Sequence, residues 1–279
     1  MHPIERLRHV ARGGEPDLTE LVQDAAFALA GFADDPAALV TACRSLVDRH
    51  PAAGPVWWLA SRVLTSGDPA AEAWQVVEEV QADDTSRAVY RAVPEGARVL
   101  AVGWTRALAG ALVRRGDCRV LVVDATGAFG HTGELLLRDG LDVGVDVGGV
   151  EEIPEAGIGV AAGWVDLVLV EAQAMGPGGL VAVSGARAAL AVAAAAGRPT
   201  WSVAPAGRVL PEGLWRVLAG RVEDVPEPWL EPDELVPLGL VSGVVRAGGL
   251  CSPGDAAAQP DCPFAPELVR PLDAPGSYR

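Results

Sequence analysis

Three side chains in this sequence could do acid–base chemistry: Asp124 in "VLVVDAT" and Glu171 in "LVLVEAQ", each at the end of an apolar run, and His131 in the Gly/Thr loop "FGHTG". A carboxylate or imidazole at such a place can exchange a proton with a small substrate. The plainer readings make Asp124 a turn cap and His131 a solvated loop residue. A second set of residues suits an anion. Gly103-Trp104-Thr105-Arg106 and Ser184-Gly185-Ala186-Arg187 each place small residues and an arginine at the start of a helical pattern. Free N–H groups and the helix dipole favour negative charge there, and arginine can hold an anion through two N–H bonds. Gly178 and Gly179, in the turn before the second start, and the amide of Gln173 complete the candidate anion site. N-capping by Thr105 and Ser184 beside solvated arginines is the bland alternative. Neither segment fits GxGxxG or a lysine P-loop, so no nucleotide cofactor is implied.

Strands must carry these residues to one edge. From "RVLAVG" (98–103) onward, short apolar runs alternate with helix-like segments. Further strands are expected at 118–126, 141–148, 165–172 and 199–205. Helices are expected in "TRALAGALVRRG", "HTGELLLRDG" and "VEEIPEAGIGVAAGW", and over 184–197. Runs apolar on both faces that alternate with helices predict a parallel sheet covered on both sides. The fold class expected is α/β, a Rossmann-like parallel-sheet domain (93–250) behind an N-terminal helical domain (1–92). In the helical part, "DPAALVTACRSLVDRH" and "DPAAEAWQVVEEVQADD" open on Asp-Pro, a good N-cap and first-turn pair. Residues 251–279 read as an irregular or partly disordered tail. Ligands in such sheets sit at the carboxyl ends of the strands. Every candidate residue above falls there, as does Pro205-Ala206-Gly207-Arg208 after the fifth strand.

Composition narrows the partners. The 279 residues are 50% hydrophobic and carry a net charge of −15, with 22 basic residues, all of them arginine. A lysine nucleophile or base is thereby excluded. The acidity argues against nucleic acid and against an anionic membrane surface. Four cysteines without CxxC spacing read as free thiols, and four histidines are too sparse for a Cys/His metal site. No apolar signal segment opens the chain, and a cytoplasmic protein is expected.

The serial order of these segments resembles the translation initiation factor 2B alpha/beta/delta family, which includes methylthioribose-1-phosphate and ribose-1,5-bisphosphate isomerases. "RVLAVGWTRALAGAL" is similar to the family's strand and "HGYSRTV"-like helix start. "CRVLVVDATGAFGHTGELLLRDGLDVGVDV" is similar to its "VIVTESRP…GR.LA..L…GI.V..I". "VDLVLVEAQAMGPGGLVAVSGARAALAVAAAAGRPTWSVAP" is similar to its "D.VLVGADAV..NGGVVNKIGTY.LALLAK..G.PFYVAAP" and is the most specific match. The resemblance covers roughly residues 20–210. It implies a helical domain followed by a Rossmann-like one, a phosphorylated small molecule as ligand, and a homodimer. The departures concern chemistry. At the family's catalytic "GAD" stand Glu171-Ala172-Gln173, and glutamine cannot exchange a proton as a carboxylate does. Its Asn-Lys gives way to Ala182-Val183-Ser184, its catalytic cysteine has no counterpart near Gly103–Arg106, and its "ESRP" arginine falls on Thr126.

Three functions remain open on these grounds. One is a non-catalytic protein that binds a phosphorylated ligand in a regulatory or interaction role. Another is a divergent aldose–ketose isomerase working through Asp124, His131 or Glu171. The third is an interaction module without a ligand.

Overall fold

The computed structural model describes residues 18–125, 127–133 and 149–269. Five helices come first: α1 (Leu18–Ala30), α2 (Pro36–Arg49), α3 (Gly54–Thr65), α4 (Pro69–Gln81) and α5 (Thr85–Ala92). Both Asp-Pro starts work as caps. The Asp35 carboxylate accepts the Ala37 and Ala38 amides, and Asp68 accepts that of Ala71. The middle helix, α3, is apolar almost all round, as a helix buried on every side must be. Val56, Trp57, Trp58, Leu59, Ala60 and Val63 are all enclosed.

Ten strands follow in chain order: β1 (Arg98–Val102), β2 (Arg119–Val123), β3 (Val150–Glu152), β4 (Leu167–Glu171), β5 (Ala174–Gly176), β6 (Gly179–Val183), β7 (Thr200–Val203), β8 (Asp233–Pro237), β9 (Gly243–Arg246) and β10 (Gly249–Cys251). Seven make the main sheet in the order β10-β9-β7-β4-β1-β2-β3, parallel except for β10 at one edge. Helices cover both faces: α5 and α6 (Arg106–Arg114) lie on one, and α7 (Ile158–Trp164) and α8 (Ala186–Ala195) on the other, while α9 (Glu212–Glu223) packs with the N-terminal helices. Strand alternation splits the core. Val99 and Ala101 pack with α5 and α6, while Leu100 and Val102 pack with α7 and α8.

Some expectations need correction. The sheet has more strands than the five foreseen. One of them, β3, takes Val150–Glu152, ahead of the short helix expected in the same segment, which is α7. The expected strand 141–148 and helix "HTGELLLRDG" lie outside the described residues. The glycine-rich turn after β4 is a hairpin, β5–β6, completed by β8 as a second, antiparallel sheet. Its strands are buried on both faces. Val181 joins the core of the helical domain, while Leu180 and Ala182 join the sheet core. The two hairpin strands are only three and five residues long and flank Gly176, Gly178 and Gly179, so the stretch read as a glycine-rich turn. The C-terminal stretch is mostly irregular, yet it is held. A short helix α10 (Pro253–Ala257) follows β10, and Trp58 Nε1 then donates to the Asp261 carbonyl at 3.0 Å.

Candidate functional site at the switch point

Chain order reverses between β1 and β4: β2 and β3 lie to one side, and β7 and β9 to the other. In an open parallel sheet such a reversal leaves a crevice outside the carboxyl ends of the two central strands. A cleft of about 980 Å³ occupies this position, roofed by residues of α1, of the α2–α3 turn and of the α4–α5 turn. The roof is tied down at Gly54. Its N–H donates 2.9 Å to the Gln173 carbonyl, and any Cβ there would meet that oxygen at 2.6 Å.

At the floor, Glu171 ends β4 and Arg208 follows β7. Arg208 Nη2 donates to Glu171 Oε1 at 2.7 Å, and the two side chains are only 7% and 9% exposed. The hydroxyl of Thr105 donates to the other Glu171 oxygen. Thr105 also caps α6, accepting the Leu108 amide at 3.4 Å. Among the described residues, Arg208 Nε and Nη1 are buried without a hydrogen-bond partner. Buried guanidinium N–H groups left unpaired carry a desolvation cost. His50 Nε2 and Ser86 Oγ, also in the cleft wall, are unpartnered as well. Burial and the neighbouring Arg49 charge hold the His50 imidazole below its ordinary pKa, and so neutral near pH 7. The wall carries six arginines (Arg49, Arg87, Arg106, Arg114, Arg208 and Arg221) against five carboxylates. In a chain of net charge −15, that makes the cleft an island suited to an anion.

The residues foreseen from sequence divide into two groups. Thr105, Arg106, His131, Glu171 and Gln173 come together around this cleft. Glu171 and Gln173 both reach it, two residues apart and so on one face of an extended chain. The others serve elsewhere. Asp124 accepts the Phe129 amide at 2.6 Å, at the start of a single 3-10 turn. Gly103 packs on Val183 at a positive φ of 79°. Gly178 and Gly179 belong to the hairpin; a Cβ on Gly179 would meet the Val236 carbonyl at 2.4 Å. Helix α8 begins at Ala186, with Gly185 rather than Ser184 at the N-cap position. The Ser184 hydroxyl donates to the Glu231 carbonyl at 2.6 Å, and the Arg187 amide donates 3.0 Å to Glu234 Oε1. The second helix start is therefore already met by a carboxylate of the chain itself. Arg208, which sequence places after the fifth strand, joins the first group at the cleft. Among the described residues no His, Cys, Asp and Glu cluster could hold a metal, and no helix is long and apolar enough to cross a membrane.

A helical layer over a parallel sheet with its cleft at the strand reversal defines a known class of fold. A translation initiation factor 2B from Pyrococcus horikoshii superposes with a TM-score of 0.70 at 13% identity, over 91% of this chain and 98% of its own. The beta–delta tetramer of initiation factor 2B from Chaetomium thermophilum gives 0.68 at 18%, over 92% of each chain. The 5-methylthioribose 1-phosphate isomerase from Pyrococcus horikoshii gives 0.60 at 18%, over 92% of this chain and 86% of its own. The chain has the fold of initiation factor 2B subunits and of this sugar-phosphate isomerase. No protein-family model and no curated protein sequence matches it.

Proposed function

We propose that this chain binds a small phosphorylated molecule, a sugar phosphate or nucleotide, in the switch-point cleft, and that it acts as a homodimeric regulatory or interaction protein without isomerase turnover. Arg208 carries the reading: a buried guanidinium in the cleft wall, paired through one nitrogen and, among the described residues, left with two unpartnered. Thr105 and Arg106 at the start of α6 add a helix N-terminus on the same side. Loss of turnover follows from Gln173 at the position that resembles a catalytic aspartate and from the absence of cysteine in Gly103–Arg106.

Thermal unfolding with pentose phosphates, methylthioribose phosphate and nucleoside monophosphates tests the binding. A ligand at about a hundred times its Kd should stabilise by roughly 2.7 kcal/mol. The shift should vanish in the double variant Glu171→Gln/Arg208→Gln, which removes the buried pair together. If no phosphate compound shifts the transition, the reading fails. A divergent isomerase stays as the second reading because Glu171, the one buried carboxylate on the floor, holds the Thr105 hydroxyl. NMR of each sugar phosphate with the protein decides between them: aldose–ketose conversion lost in Glu171→Gln means catalysis.

A further inference from the structure

We infer that the C-terminal segment is a working part of the cleft, with Asp261 acting as a positioning residue for Arg208; this rests on the proposed anion site. Arg208 sits on the bend that follows β7, and two carboxylates from distant parts of the chain hold that bend on either side of it. Before it, the Ala206 amide donates 2.8 Å to Asp83 Oδ2, from the α4–α5 turn. After it, the Val209 amide donates 2.9 Å to Asp261 Oδ2. Asp261 returns the contact, its own amide donating 2.8 Å to the Val209 carbonyl. Between the clamps, Gly207 turns at a φ of 80° with its Cα against Trp58, so close that a Cβ would fall 2.5 Å from the ring. The bend thus has little freedom, and the direction of Arg208 depends on both clamps.

Asp261 is itself fixed from three sides. Its Oδ1 accepts Arg246 Nη2, its carbonyl accepts Trp58 Nε1, and its chain neighbours run along α3, where Ser61 donates to the Pro263 carbonyl. Burial, with a smaller push from the Asp83 charge, raises the Asp261 pKa against the pull of Arg246 and of the loop amides. A carboxylate kept there at such a cost does more than fill space, since an uncharged residue would avoid the desolvation. Its two acceptors orient the loop that carries Arg208, as outer groups orient a binding side chain in other sites.

The test is the full-length Asp261→Asn variant, with Asp261→Glu as the conservative control, read at the Arg208 guanidinium by 15N-edited NMR and by titration with ribose 5-phosphate. The expected result is a shifted, faster-exchanging Arg208 Nε–H signal and binding weakened about tenfold, the scale found when an orienting group is lost. Circular dichroism should show an intact fold, with Tm lowered because asparagine keeps only one of the two acceptors, and Asp261→Glu should restore part of the affinity. An unchanged Arg208 signal in a folded Asp261→Asn overturns the inference. If wild type binds no phosphate compound, the proposed function fails, and the Arg208 signal still decides the role of Asp261.

Discussion

Two helix starts of similar sequence, Thr105–Arg106 and Ser184–Arg187, have different surroundings in this fold. The first opens on the switch-point cleft beside the Glu171–Arg208 pair. The second is covered by the chain's own strand β8, whose Glu234 accepts the Arg187 amide while the Glu231 carbonyl takes the Ser184 hydroxyl. A helix N-terminus attracts negative charge either way. Whether a ligand or the protein supplies that charge is set by a strand 47 residues further along the chain. An anion site is thus defined as much by what fails to cover it as by the residues that form it.

The comparison can be broken most forcefully at the buried pair. Arg208→Gln strands the Glu171 carboxylate in the sheet edge and should cost about 3 kcal/mol in urea unfolding, with most of that recovered in Glu171→Gln/Arg208→Gln. A loss that the double variant does not recover would mean that Arg208 acts through something other than its partner. Next in size is the contrast between the two arginines. Arg106→Ala should weaken ribose 5-phosphate binding about tenfold, near 1.4 kcal/mol, while Arg187→Ala leaves it unchanged. Equal effects would erase the distinction drawn between the two starts. At the covered start, Glu234→Ala should cost roughly 1 kcal/mol in thermal unfolding through loss of a carboxylate at a helix N-terminus, with no effect on the ligand.

The smallest effect is in pH. Asp261 holds its proton to higher pH in the fold than in the unfolded chain. Stability should therefore decline as pH rises from the ordinary aspartate range to the raised native value, since the native state binds more protons there. Asp261→Asn should flatten that part of the curve; an unaltered slope would place the titration elsewhere.

Much of this was legible in sequence because it is local. Asp-Pro helix starts, apolar strands between helical patterns and the Thr105 cap all depend on residues a few positions apart. The hairpin β5–β6 was hidden because its strands are only three and five residues long and flank Gly176, Gly178 and Gly179, which read as a turn. Glycines that seemed ready to approach a phosphate approach the Trp215 ring and the Val236 carbonyl instead. The site itself was half visible. Thr105, Arg106, Glu171 and Gln173 stood at strand ends, where ligands bind. Asp83, Arg208 and Asp261 converge only through tertiary packing, and nothing in the spacing of 83, 208 and 261 announces it. The tail that carries Asp261 is rich in proline and lacks periodic apolar residues, so its order comes from contact with α3 rather than from its own propensity.

The most direct measurement is isothermal titration of ribose 5-phosphate, with adenosine monophosphate alongside, into wild type, Arg187→Ala and Glu171→Gln/Arg208→Gln. The account predicts saturable binding of at least one compound to wild type and Arg187→Ala, and none to the double variant. Binding that survives in the double variant and disappears in Arg187→Ala would contradict it, and would place the anion at the helix start that Glu234 covers.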